Sequence, residues 1–329
     1  MPPHKHGTTS VVFAQDGTCI VTKLAKSDHK ALWNDFMMHS TIAYHFDAYR
    51  FGEVRIPACY FHVPKDDAEF FAKYPTLVKA AEPVCNLPTT PLVTERILPL
   101  TAPIRELLIS LYCAPRIKAQ AFADPANKDC LVRVYLGSSQ GKSGGMAAVG
   151  LDVEGLARRM AKALALMHWA AMTDARDVEF VLGSSSKKKV ASLKELRMLK
   201  TGSYTGPPSR KVGAEDFFHR ITELWVLDFN QVKTITLDKA GVDQAVEAVK
   251  INDPYLSKPL QKGRLEKSLW NAFVTTYLCT SEDIIKQEEH GTEALQLPSM
   301  FISSLIEMEK KRRQEAAEAG ARAQGEFIV

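Results

Sequence analysis

Hydrophobic positions recur at roughly helical spacing over six stretches of the chain, near residues 29–46, 103–112, 152–171, 240–250, 265–278 and 297–319. In the first of these Trp33, Phe36, Met37 and Ile42 mark the face expected to meet a core. Shorter stretches read as strands. Ser10–Phe13 and Cys19–Leu24 flank a Gln-Asp-Gly-Thr turn, Pro91–Leu100 is apolar and turns at Pro99, and 130–137 alternates as a strand should. A short apolar strand, Phe180–Leu182, and a second one ending at Asp228 complete the set. Helices and strands in this order predict an α+β protein.

Composition adds bounds. A chain of 329 residues, 46% hydrophobic and 24% charged, is long enough for two lobes with their own cores. No apolar run reaches bilayer length and the first residues lack the apolar core of a signal peptide, so a cytoplasmic protein with no membrane partner is expected. Six scattered cysteines without a Cys-x-x-Cys pair, and histidines without a paired motif, give no expected metal site. The net charge of +4 permits a nucleic-acid partner without demanding one.

The charged residues are unevenly placed. Asp174, Asp177 and Glu179 crowd one turn after the 152–171 helix, and Asp228 ends an apolar strand in Leu-Asp-Phe-Asn. Carboxylates gathered like this repel one another unless a cation holds them. Their order is that of a protein-kinase-like active site, in which a strand lysine (Lys23), a helix carboxylate (Asp35), a loop acid (Asp174) and metal-holding groups (Glu179, Asp228) follow in sequence. The two-lobed division this predicts is 1–98 for a small sheet-containing lobe and 99–296 for a mainly helical lobe, with 297–329 a C-terminal helix and tail. Residues 7–17 hold only Gly7 and Gly17, not the glycine-rich loop that closes over phosphates, and Asn230 replaces the glycine of the strand-end motif.

One further segment, 184–213, reads as a basic insertion. It carries Lys187, Lys188, Lys189, Lys194, Arg197, Lys200, Arg210 and Lys211, the phosphate contacts a tRNA would require, as does the run Lys310–Arg313. His168, beside Trp169 at the end of the long helix, is a candidate substrate-binding residue, as are Lys23, Asp35 and Asn230.

The stretches Met160–Gly183, Leu224–Gln231, Thr94–Leu100 and Cys130–Gly137 resemble a fungal family with a kinase-like fold, described as a domain of unknown function or as "zinc finger protein", whose members include arginine-containing cyclodipeptide synthases. The resemblance implies a tRNA-dependent reaction without a cofactor, joining arginine from arginyl-tRNA to a second aminoacyl group as a diketopiperazine. Asp174, Asp177, Glu179 and Asp228 would be its catalytic acids, holding a guanidinium in a cleft between the lobes, with Asp174 moving the proton. The rivals are an ATP- and magnesium-dependent small-molecule kinase and a catalytically inactive kinase-like binding module. Oligomeric state is open.

Overall fold

A computed structural model describes residues 3–6, 10–14, 17–27, 29–125, 127, 131–137, 152–188, 193–202 and 220–325. In chain order the elements are β1 (Pro3–His6), β2 (Ser10–Ala14), β3 (Ile20–Ala25), α1 (His29–Ala48), β4 (Cys59–His62), α2 (Ala68–Lys73), α3 (Pro75–Ala81), β5 (Pro91–Glu95), α4 (Ala102–Tyr112) and α5 (Pro115–Ala123). They continue with β6 (Val132–Arg133), α6 (Val153–Ala165), a π-helical turn (Leu166–Ala170), β7 (Glu179–Lys188), α7 (Leu193–Met198), β8 (Arg220–Leu227), α8 (Lys239–Ile251), α9 (Arg264–Gln287), a short 3₁₀ turn (Thr292–Gln296) and α10 (Leu297–Gly325). The protein is of mixed α+β class, with two small sheets and many helices.

The chain divides into two compact units that it visits alternately. The first comprises residues 1–27, 55–133 and 181–226, the second 28–54, 134–180 and 227–329. This interleaving differs from a contiguous division near residues 98 and 296. Its cause is that α1 folds with the helices that follow residue 227, whereas the strands on either side of α1 stay with the sheet.

In the first unit five strands run in the order β1-β2-β3-β5-β4 with antiparallel pairing throughout. Alternation in β2 sends Val11 and Phe13 to one face. They join Leu24, Val93, Val63 and the inner faces of α2 and α3, including Phe70, Leu77 and Ala81, in one buried cluster. Asp67 caps α2 by accepting the Phe70 N–H at 3.0 Å, and Pro75 opens α3 with its φ already set. A second sheet, β6-β7-β8, corrects the sequence reading of 184–188 as part of an inserted loop: β7 runs on to Lys188, and Ser184 and Ser185 are buried. The extension is tied down by the Ser184 N–H, which donates to Leu98 O at 2.7 Å. Gly183 fits only because it lacks a side chain, since a Cβ there would lie 2.4 Å from the Ile97 side chain.

The second unit is mainly helical. In α6, Val153, Leu156, Ala157, Met160, Ala161 and Leu164 form a continuous buried stripe, and Asp152 caps the helix through the Gly155 N–H at 2.8 Å. That stripe packs on α9, and α8 packs on α10. For α1 the expected core face is corrected: Leu32, Asp35, His39, Ile42 and Phe46 are buried, while Trp33 is 50% exposed and Met37 is also outward. Aromatic content alone points to the wrong face, because the set i, i+3, i+7, i+10, i+14 from Leu32 includes two polar residues whose partners lie far along the sequence. The alternating segment 130–137 pairs as a strand only at Val132–Arg133. Beyond Val134 it turns to the 254–255 loop, with Leu136 N–H donating to Tyr255 O at 3.0 Å and Gly137 N–H to Pro254 O at 2.9 Å.

Candidate functional site

The site begins with how helix α6 ends. Its last turn widens into the π-helical segment Leu166–Ala170, all of it buried, a feature that often accompanies functional sites. Thr173 closes this segment by donating both its N–H and its hydroxyl to Met167 O, at 2.8 and 2.9 Å. The chain then enters the acidic turn with Met172, Ala175 and Asp177 at φ of 53°, 51° and 62°, and Asp228 at the end of β8 has φ 69°. Four of the seven non-glycine residues with positive φ among those described therefore fall in these two motifs. Side chains disfavour that conformation, and it persists where surrounding contacts over-determine it.

Those contacts are specific. Asp174 is 2% exposed. One of its oxygens accepts from the N–H groups of Arg176 (3.1 Å) and Lys233 (2.9 Å), and the other accepts from Gln244 Nε2 (2.9 Å). Asp174 N–H in turn donates to Lys233 O at 2.9 Å, and Ile235 N–H to Met172 O at 2.9 Å, so the turn is stitched to residues 233–235. Asn252, at the end of α8, holds both sides of the strained pair: it accepts the Asp177 N–H at 2.6 Å and donates to Ala175 O at 2.8 Å. Gln231 Nε2 donates to Asp177 Oδ2. The turn and the segment that follows Asp228 are thus one assembly.

Helix α1 holds the other side of that segment. Asp35, 2% exposed, accepts the Phe229 N–H at 3.2 Å. Asn34 donates to the carbonyls of Asn230 and Val232 at 3.0 and 2.9 Å, and the His39 and Phe229 rings lie 5.0 Å apart. Asp35 therefore fixes the strand end rather than lying open to a ligand. Asn230 keeps one open valence: its Oδ1 is buried and has no hydrogen-bond donor among the described residues. A buried acceptor left in that state costs about 1–3 kcal/mol, and Asn230 Oδ1 is one of nine buried side-chain nitrogen or oxygen atoms in that state among the described residues.

The predicted acids separate by burial. Asp174 and Asp35 are buried, whereas Asp177, Glu179 and Asp228 are half-buried. All belong to the second unit, while Lys23 lies in the first, on β3 opposite Val12 and Leu92. His168 is fully buried, which takes it out of reach of a substrate. Its Nδ1 lies 2.8 Å from the Tyr277 hydroxyl and its ring packs edge-on to Phe301. Burial pushes the imidazole down to about 3 and the Tyr277 phenol well above its usual range, so both stay neutral.

Among the described residues no group of three or more His, Cys, Asp or Glu side chains is placed to hold a metal ion. The basic candidates are only partly visible. Lys194, Arg197 and Lys200 are exposed, Lys187 and Lys188 end β7, and Lys189, Arg210 and Lys211 lie outside the described residues. The run Lys310–Arg313 is largely neutralised within its own unit, with Lys310 on Glu307 (2.7 Å), Arg312 on Asp253 (3.0 Å) and Glu309 (2.8 Å), and Arg313 on Glu309 (2.9 Å). A cavity of about 510 Å³, floored by Val246, Leu256, Leu305 and Met308, also lies in this unit. It shares Asn252 with the acidic turn and none of the predicted acids.

Sequence reasoning missed Asn34, Gln231, Gln244 and Asn252. Each is a neutral amide whose partner is distant in sequence or on another element, and no local pattern announces such a pairing.

Comparison with known proteins gives one family match, to a domain of unknown function, DUF3669, described as "Zinc finger protein", over residues 224–289. It covers β8 from Leu224, the Asp228 strand end, α8 and α9. No curated protein and no solved structure matches the chain. This corrects the resemblance drawn from the sequence: the match spans well under half of the chain, and neither a kinase-like family nor a cyclodipeptide synthase is found. The matched stretch has one cysteine, Cys279, and no histidine, too few ligands for a zinc finger of its own.

Proposed function

We propose that the 172–179 turn and the 228–231 strand end form a binding site for a donor-rich organic cation, and that the chain is a tRNA-dependent aminoacyltransferase joining arginine to a second amino acid as a cyclic dipeptide. The observation that carries this is the buried Asn230 Oδ1, without a donor among the described residues, two positions after Asp228, whose φ is 69°. A guanidinium presents five N–H donors in a plane and suits a mixed set of carboxylate and amide oxygens. Asp177, Glu179 and Asp228 supply the carboxylates. The fold would be kinase-like in the sense that one unit is sheet-containing and the other mainly helical, a reading that rests on their composition alone.

In the reaction the α-amine of one aminoacyl ester attacks the ester carbonyl of the other, releasing one tRNA through its ribose hydroxyl. The remaining amine then closes the ring and releases the second. Each attack sheds one proton. Asp174 is buried with its oxygens on three N–H donors, and the proton transfer is assigned to half-buried Asp228, the acid nearest in sequence to Asn230. The bonded acids and amides hold the geometry, the contribution that positioning makes to a two-substrate reaction.

Incubation with arginyl-tRNA and a panel of second charged tRNAs, followed by mass spectrometry, tests this directly. An arginine-containing cyclic dipeptide that disappears with Asp228→Asn is the expected result, and absence of any cyclic product across the panel overturns it. Thermal shift with magnesium-ATP separates the phosphotransferase reading, since a ligand at a hundred times its dissociation constant adds about 2.7 kcal/mol.

A further inference from the structure

The helical hairpin α4–α5 in the first unit is built the wrong way round for a core element. Ile104, Leu107, Leu108 and Leu111 follow the i, i+3, i+4, i+7 spacing of an inward stripe. Yet none of the described side chains in either helix is buried: Leu107 and Leu111 are each 50% exposed, and on α5 Ile117 and Phe122 are 44% and 46% exposed. Four half-exposed large apolar side chains on one 22-residue hairpin exceed the scattered singles that surfaces tolerate. The same hairpin carries Arg105, Arg116 and Lys118 against a single acid, Glu106.

We propose that α4–α5 docks in the plane of an anionic lipid surface. Two features select this occupant. The excess of positive charge complements acidic headgroups, while it would set cation against cation if the face met a second copy of itself. And the pairing of exposed apolar with basic residues recurs elsewhere in the same unit, on and just after α7, where Leu193, Leu196, Met198 and Leu199 are exposed beside Lys194, Arg197 and Lys200. Apolar insertion combined with basic attraction is the two-part composition of interfacial helices. At 1.5 Å per residue the two helices are about 16 and 13 Å long, which suits lying in the interface. No described helix is long and apolar enough to cross a membrane, so the contact is peripheral.

The test is co-sedimentation of the full chain with vesicles of phosphatidylcholine alone and of phosphatidylcholine with 30% phosphatidylserine, about the anionic content that recruits basic segments. Binding to the acidic vesicles only, weakened about tenfold or more by L107S/L111S and about fivefold by R116E, is expected. These residues are exposed, and an unchanged unfolding temperature certifies that each variant is folded. Failure to bind acidic vesicles, or binding that L107S/L111S leaves unchanged, overturns the proposal. So does a dimer in sedimentation velocity that L107S/L111S dissolves, which would make the face a self-association surface.

Discussion

Two sets of acids differ in burial. Asp35 and Asp174 are buried in the second unit and accept backbone and amide N–H groups, and Asp177, Glu179 and Asp228, of the same unit, are half-buried. Asp174 and Asp177 are only one helical turn apart in sequence, so neither residue type nor position separates their roles. What separates them is burial: Asp35 and Asp174 are each 2% exposed, whereas Asp177, Glu179 and Asp228 are half-buried. A carboxylate that is buried and accepts three N–H groups, as Asp174 does, is committed to holding backbone.

Substitution at the buried position should have the largest effect. Asp174→Ala leaves the N–H groups of Arg176 and Lys233 and the Gln244 amide without their acceptor, and should cost about 3 kcal/mol in denaturant unfolding, through desolvated, unpaired donors. A loss under about 1 kcal/mol would erase the distinction between the two sets. Next is Gly183→Ala, on the strand that begins at Glu179. Crowding against Ile97 should cost about 1–3 kcal/mol, read as a lowered thermal midpoint.

His168 sharpens the comparison through pH. Its folded value lies near 3, below the usual 6.5 of the unfolded chain, so between these limits the unfolded state binds a proton that the folded state refuses. Stability is therefore complete above about pH 6.5 and declines as pH falls toward 3, by up to about 1.4 kcal/mol per unit from this group. In His168→Phe, thermal midpoints measured from pH 7 to 4 should fall less steeply than in the parent. Identical slopes would show that the imidazole is not held neutral by burial.

The smallest stability effects belong to the half-buried acids. Asp177→Asn and Asp228→Asn keep a residue that tolerates positive φ, and should shift unfolding by less than about 1 kcal/mol while abolishing cyclic dipeptide formation. Loss of product with intact stability is the signature of a site. Loss of both together would place these acids with Asp174.

Much of the fold was legible. Each periodic stretch became a helix, because burial of one face imposes the 3.6-residue period wherever a helix packs. The helix expected at 265–278 runs on to Gln287, and the one expected to end at 319 runs on to Gly325. The positions of Asp174, Asp177, Glu179 and Asp228 at the ends of apolar segments were also legible, since turns and strand ends leave few other places for charge. The inward face of α1 was not. It carries Asp35 and His39, whose burial is made possible by Phe229, nearly two hundred residues later. Nor was the continuation of β7 through Ser184 and Ser185, which depends on the Ser184 N–H donating to the Leu98 carbonyl.

The sequence by itself determined the α+β class, the six long helices and the concentration of acids around one turn and one strand end, since all three follow from local spacing and residue chemistry. The shorter helices Ala68–Lys73, Pro75–Ala81, Pro115–Ala123 and Leu193–Met198 carried no such signal. Tertiary structure alone decided which acids are buried and which are half-buried. That choice rests on donors contributed by Gln244 and the backbone of Phe229 and Lys233. Hydrogen-bond satisfaction and burial are properties of neighbours in space, and a linear pattern encodes them only where those neighbours are also near in the chain.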